Sequence, residues 1–277
     1  MYHNRVKDDP TSERVFYLIT NRVVGGSFLF KNAEKEKLKK LLFEGEKRFA
    51  YKVWDYVIMD NHYHCVLEVY AKDEFSEKEL LARYNHDRIS PESAFPNERI
   101  KRNFAEKAHD ISSIVGNFQQ RFTQWFNKSY DRLGHLFGGR FDSEILDRSA
   151  GLMRAMAYLT LNPVRANIVK DPKDYHYCGY AQRLAQKNFP DFILFDLLRD
   201  RLCIAPDLWD LDAAMKSRYF ADIFRAYLMG IPLKKGSHWT QESLGEFLEK
   251  QGEKKELAWN DKLMHRCAYF SHGIAKL

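Results

Sequence analysis

The sequence predicts an α+β fold, an antiparallel sheet with its helices mainly on one face, followed by a helical C-terminal extension. Three observations carry that prediction. Runs rich in aromatic and β-branched residues occur at 15–24, 51–59 and 62–70. Amphipathic helical patterns lie between and after them, and beyond about Lys187 only helical patterns are left.

VFYLITNRVV, ending at Gly25-Gly26, reads as a first strand and a turn. NAEKEKLKKLLFEGEKRF places Leu38, Leu41 and Leu42 on one side of a surface helix, with Lys35, Lys37, Lys39 and Lys40 expected on its solvated side. YKVWDYVIM and HYHCVLEVY flank the polar pair Asp60-Asn61, which makes a hairpin the economical reading. Residues 71–110 mix charge with turn residues and read as an insertion holding a helix or two and a loop near Ser90-Pro91. Ile111, Ile114, Val115, Phe118, Phe122, Trp125 and Phe126 then fall at helical spacing, a core stripe on a long helix. SEILD reads as a short strand. A further helix is expected from near Asp147 or Ser149 through Tyr158, ending or kinking at Asn162 because Pro163 follows. The segments FPDFILFDLLRDRL, LDAAMKSRYFADIFRAYLMG and TQESLGEFLEKQG read as separate helices. The expected domains are 1–187, with the insertion at about 71–110, and a helical domain over 188–277.

Composition narrows the function classes only partly. The 277 residues carry a formal charge of +6, which permits binding to a phosphate backbone without requiring it. No apolar run approaches the ~20 residues of a membrane span, and the polar start MYHNRVKDDPTSER has no signal-peptide pattern. Cys65, Cys178, Cys203 and Cys267 are scattered, without a C-x-x-C pair. The expectation is a cytoplasmic protein with reduced thiols.

Two patterns can carry chemistry. His62 and His64 alternate on a strand and so share one face, close enough to hold one ion. Val66 follows in phase with them, and a pair entering a core face needs partners for its nitrogens. Tyr158 and Asn162 are one helical turn apart on one face, and Arg154 extends that stripe. Tyrosine can attack phosphorus and form a phosphotyrosine, and an Asn carbonyl is an oxygen ligand acceptable to Mg²⁺ or Mn²⁺. Taken alone, each pattern also fits a bland role: exposed strand histidines, or a packed helix-end Tyr and a terminal Asn.

Together these motifs resemble a known family. The hairpin YKVWDYVIMDNHYHCVLEV resembles the His-hydrophobe-His nucleases. AYLTLNPVRANIV, from Ala157 to Val169, is similar to the tyrosine-bearing helix of the REP-associated tyrosine transposases, a branch of the single-tyrosine transposases. FQQRFTQWFNKSYDRLGHLFGGRFDSEILD resembles the segment between them, and DYHYCGYAQRL the stretch after the helix; the likeness runs from about Tyr17 to Leu184. It implies a ferredoxin-like sheet, His62 and His64 as metal ligands with Asn162 as third, Tyr158 as nucleophile, and Mg²⁺ or Mn²⁺ as cofactor. It implies cutting of single-stranded DNA near a hairpin or repeat end through a 5′-phosphotyrosine link, with rejoining by the reverse step. Two positions depart from the pattern. Tyr63 stands where an aliphatic residue is usual and should point away from the metal. Gly138-Gly139 stands where Gln-Gly is commoner, a change that could alter DNA contact.

With that resemblance, Arg132, His135 and Arg140, interleaved with Phe137 and Phe141, become candidates for phosphate contact and base stacking. Arg154 is a candidate for the scissile phosphate and equally for a surface ion pair, whereas His176 is expected to be structural. Two rivals stand beside this reading: a domesticated hairpin-binding regulator without transposition activity, and a hydrolase of small phosphate esters in which Tyr158 is incidental. The sequence leaves monomer and homodimer open.

Overall fold

The computed structural model describes residues 14–147 and 150–186. The helical domain expected over 188–277 lies outside them. The chain divides into two units, Met1–Arg148 and Ser149–Leu277.

In the first unit the elements run β1 (Val15–Arg22), α1 (Asn32–Glu44), β2 (Tyr51–Ile58), β3 (His62–Val69), α2 (Glu77–Asn85), α3 (Glu98–Ala108), α4 (Ile111–Ser129) and β4 (Asp142–Leu146). The four strands form one sheet in the order β2-β3-β1-β4, with every neighbouring pair antiparallel. The crossover through α1 leaves room for β3 between β1 and β2, and the return through α4 places β4 beyond β1. This is the ferredoxin-like arrangement expected from the sequence.

α1 packs on α4, and both sit on the sheet face that carries Tyr56 and Tyr63. The stripe of α4 is buried through Ile111, Ile114, Val115, Phe118, Phe122 and Phe126, with Trp125 half-buried at its margin. Phe122 is the hub of this layer, its ring 5.4 Å from Phe30 and 6.2 Å from Phe137. Asp110 caps α4 by accepting from the Ser113 amide at 2.8 Å. The far face of the sheet holds Phe16 against Trp54 at 5.1 Å, and the Trp54 indole donates to the buried Glu68 at 2.8 Å. Arg14 balances Glu68 from 3.3 Å.

α1 departs from the expected solvated lysine face. Leu38, Leu41 and Leu42 are buried as anticipated, but so is Lys35, whose ammonium reaches Asp60 at 2.6 Å. Its long stem crosses apolar surface before the charge meets its partner. Lys40 stays exposed and pairs with Glu44 one turn on. Gly45, just after α1, has no room for a side chain: a Cβ would lie 2.2 Å from the Tyr51 hydroxyl, which donates to the Leu42 carbonyl.

The insertion forms two helices with a loop over 86–97, as expected. Ser76 and Asn97 cap them, and Tyr84, Phe95 and Phe104 make a small aromatic cluster of their own. Arg83 ties this piece to the end of the sheet, donating to the Glu46 and Phe49 carbonyls at 2.6 Å each and lying over the Phe75 ring. His109 closes α3, buried, with its Nδ1 2.8 Å from the Ala105 carbonyl.

The second unit contains α5 (Ala150–Arg165) and α6 (Gly179–Gln186). α5 begins where expected but does not stop before Pro163; it runs on to Arg165. Pro163 lies in the last turn, where its missing N–H forfeits a single bond. The stop is made by Asn167 at φ 55, a conformation that Asn tolerates. Among the described residues no helix is long and apolar enough to cross a membrane.

Two outcomes are expected. Phe122→Ala should cost about 3–5 kcal/mol in urea unfolding, whereas Gln124→Ala on the exposed side should leave the midpoint in place; equal effects would contradict the assigned core. Burial pushes the His109 imidazole below its ordinary pKa of 6.5, with Lys72 and Arg83 adding to that shift and the Ala105 hydrogen bond opposing it. The unfolded chain therefore takes up this proton first, so stability is full above pH 6.5 and falls as pH drops below it. His109→Phe should flatten the fall in urea midpoint between pH 7.5 and 5.5; an unchanged slope would remove His109 as its source.

Candidate metal centre and the tyrosine helix

The position of the histidine pair begins with a turn. Met59 donates to the His62 carbonyl at 2.8 Å, closing the β2–β3 hairpin around Asp60 and Asn61. The β1–α1 connection grips that turn from outside. Val23 donates to the Asn61 carbonyl and Phe30 to the Asp60 carbonyl, both at 2.8 Å. Between these anchors the chain doubles back through Gly25 and Gly26, at φ 66 and 69, where a side chain would be strained.

From that turn β3 alternates. Tyr63, Cys65 and Leu67 face the helices; His62, His64 and Val66 face the other way. In register, His62 lies opposite Arg22 and His64 opposite Thr20. His64 is buried at 6% exposure and His62 is half-buried.

Each imidazole is held by its Nδ1 atom. For His62 the partner is Asn61 Oδ1 at 2.6 Å, and for His64 it is Thr20 Oγ1 at 2.7 Å. The Asn61 amide is itself oriented, because its Nδ2 donates to the Gly26 carbonyl at 3.0 Å. A carbonyl can only accept, so Oδ1 must face His62, and His62 Nδ1 must be the donor. That fixes the neutral ring as the Nδ1–H tautomer, with its lone pair on Nε2. Metal-ligating histidines are commonly oriented in this way, through a hydrogen bond at the other nitrogen.

The separation of the two rings is compatible with a shared ion. Their centroids are 5.1 Å apart and their planes nearly perpendicular, at 84°. With metal–nitrogen bonds of about 2.1 Å, each centroid would lie roughly 3.2 Å from the ion, and the observed separation would then subtend about 100°. This is an ordinary angle between adjacent ligands. No group of three or more His, Cys, Asp or Glu that could hold a metal occurs among the described residues, so the acidic and thiol side chains there add no third ligand.

Tyr63 points to the helix side, as anticipated. Its ring is 5.8 Å from Phe118 and 6.0 Å from Phe137, and its hydroxyl accepts from Gln119. Burial pushes the phenol well above its ordinary pKa.

The segment 131–141 runs beside the end of β1. Val24 donates to the Leu136 carbonyl and Gly138 to the Arg22 carbonyl, each at 2.9 Å. His135 and Arg140 are exposed, but the stacking role anticipated for the phenylalanines is excluded. Phe137 and Phe141 are 9% and 7% exposed, and Phe137 belongs to the layer around Phe122. Arg132 turns inward over the Phe126 ring, with its Nη1 buried. A Cβ at Gly138 would meet the Val24 Cα at 3.4 Å, at the close end of ordinary contact.

In the second unit, Tyr158 and Asn162 fall on one face of α5. Tyr158 is half-buried, with the Arg165 guanidinium 5.8 Å from its ring centre, and Asn162 is 7% exposed. Arg154 is half-buried one turn earlier and makes no ion pair among the described residues. His176 is exposed, with its ring edge-on to buried Tyr177. Reasoning from sequence missed Thr20, whose contact with the His64 ring comes from strand register. Asn61 was readable as a turn residue but not as the anchor of His62.

No protein-family model matches the chain, and no curated protein matches it. Among solved structures it is similar to a REP-associated tyrosine transposase bound to a REP hairpin, at 14% identity and a TM-score of 0.48, over 77% of this chain and 96% of that one.

Proposed function

We propose that the protein is a metal-dependent endonuclease and strand transferase for single-stranded DNA with hairpin or repeat structure. His62 and His64 hold Mg²⁺ or Mn²⁺, Asn162 supplies a third, oxygen ligand, and Tyr158 is the nucleophile. The observation that carries this reading is the histidine pair, two imidazoles on one strand face, each fixed through Nδ1 at a spacing suited to one ion. The ordered sequence motifs that resemble the single-tyrosine transposases support the assignment of Tyr158.

A divalent ion so bound supplies Lewis-acid polarisation and orientation of the scissile phosphate. The Tyr158 Oη atom, losing its proton, attacks phosphorus and displaces the 3′-oxygen, which leaves as a 3′-hydroxyl. The 5′-phosphate stays esterified to Tyr158. Attack by a 3′-hydroxyl on that ester restores the phosphodiester and the phenol. The bond energy is conserved in the ester, so the cycle consumes no nucleotide cofactor. His135, Arg140 and Arg154 are the cations assigned to phosphate contact; Arg132, turned inward, is the weakest member of that set.

Incubation with labelled single-stranded DNA hairpins and Mn²⁺ should give a denaturation-resistant protein–DNA adduct. Chelator, Tyr158→Phe and His62→Ala should each abolish it. An equal adduct with Tyr158→Phe would refute the mechanism, and hairpin binding with no adduct under any condition would favour a binding protein without chemistry. Asn61→Ala should weaken Mn²⁺ binding about 10- to 100-fold by titration calorimetry, with an unchanged circular dichroism spectrum. An unchanged Kd would show that Asn61 does not orient His62 for the ion.

A further inference from the structure

Three segments meet at the end of the sheet that carries the histidine pair. The β1–α1 connection is tied to the hairpin turn at Val23, Gly26 and Phe30, and to the 131–141 segment at Val24 and Arg22. Phe28 lies between two of these tethers, two residues after Gly26 and two before Phe30. Its neighbour Phe30 is in the core, yet Phe28 is 76% exposed. Phe28 is thus an aromatic side chain held at the surface next to the turn that leads into His62.

Arg22 supplies the second observation. It lies opposite His62 in register, so the two side chains leave the same face of the sheet as close neighbours. Its side chain is exposed and has no ion-pair partner among the described residues. The acid on the turn, Asp60, is already paired with Lys35 at 2.6 Å.

We propose that Phe28 and Arg22 seat one nucleotide of single-stranded DNA beside the His62–His64 pair, the Phe28 ring stacking its base and the Arg22 guanidinium pairing with its phosphate. This deepens the function proposed above and rests on it. Stacking platforms flanked by cations are how proteins hold single strands without reading a groove. Phe137 and Phe141 are buried, whereas Phe28 is an exposed aromatic side chain in the loop bonded to the hairpin turn.

The test is fluorescence anisotropy of the full chain with a labelled single-stranded hairpin oligonucleotide in chelator, so that no cutting occurs, with the covalent-adduct assay run in parallel. Phe28→Ala should weaken binding about tenfold. An abasic residue scanned along the strand should weaken the parent similarly at one position and leave Phe28→Ala unaffected there. Arg22→Gln should reduce the slope of log affinity against log salt by about 0.7, the share of one single-strand phosphate. If the parent binds and both variants match it within twofold, the inference falls and the proposed function stands. Losses of binding in the variants without any adduct from the parent would sustain the seat and sink the chemistry. No binding by the parent to any strand would overturn both.

Discussion

The Asn61 side chain sets most of what is interesting about the first unit. Its amide donates to Gly26 and accepts from His62, so a single group couples the shape of one loop to the orientation of a ring on the next strand. The same turn is gripped by the backbone of Val23 and Phe30. These bonds also lock the register of β3, and register decides which chemistry each sheet face displays. A slip by one residue would exchange the faces, placing His64 in the aromatic layer and Tyr63 outside it. Burying an imidazole there without partners, while exposing a large apolar ring, would cost several kcal/mol. The shared face of His62 and His64 is thus enforced by the hydrophobic layer on the opposite side of the sheet.

That layer also explains how aromatic residues are divided between core and surface. Phe30, Phe118, Phe122 and Phe137 pack with Tyr63 in edge-on and tilted pairs, arrangements that suit the charge distribution of aromatic rings. Phe137 is drawn inward because the backbone on either side of it is bonded to the end of β1. The alternating phenylalanines and cations of RLGHLFGGRF therefore split: the rings go into the core and His135 and Arg140 stay out. Phe28 does the opposite and stays at the surface of a loop fastened to the hairpin turn on either side of it.

The second unit shows a local rule overridden by its surroundings. Proline restricts the residue before it, and an end or a kink at Asn162 follows from that rule. The helix nevertheless continues for another turn, since only one hydrogen bond is forfeited there and Asn167 provides a natural stop in the left-handed region. The extension does not alter the i, i+4 relation of Tyr158 and Asn162. It brings Arg165 round to the Tyr158 ring, a contact that helix periodicity places one face-turn further on.

What the sequence determined by itself was local and periodic. Alternation placed His62 and His64 on one strand face with Tyr63 on the other, helical spacing put the α4 stripe in the core and Tyr158 beside Asn162, and the pair Asp60-Asn61 marked the turn. These depend only on the repeat of a strand or helix and on the preferences of turn residues. The tertiary structure alone decided that Thr20 and Asn61 hold the imidazoles, that Arg22 stands beside His62, that Lys35 is buried on Asp60, and that Phe137 packs while Phe28 does not. Apart from the Asn61–His62 contact, which depends on Gly26 fixing the amide, each of these pairs residues far apart in the chain, through strand register or loop tethering. No periodicity within a segment encodes which residue of another segment will lie across from it.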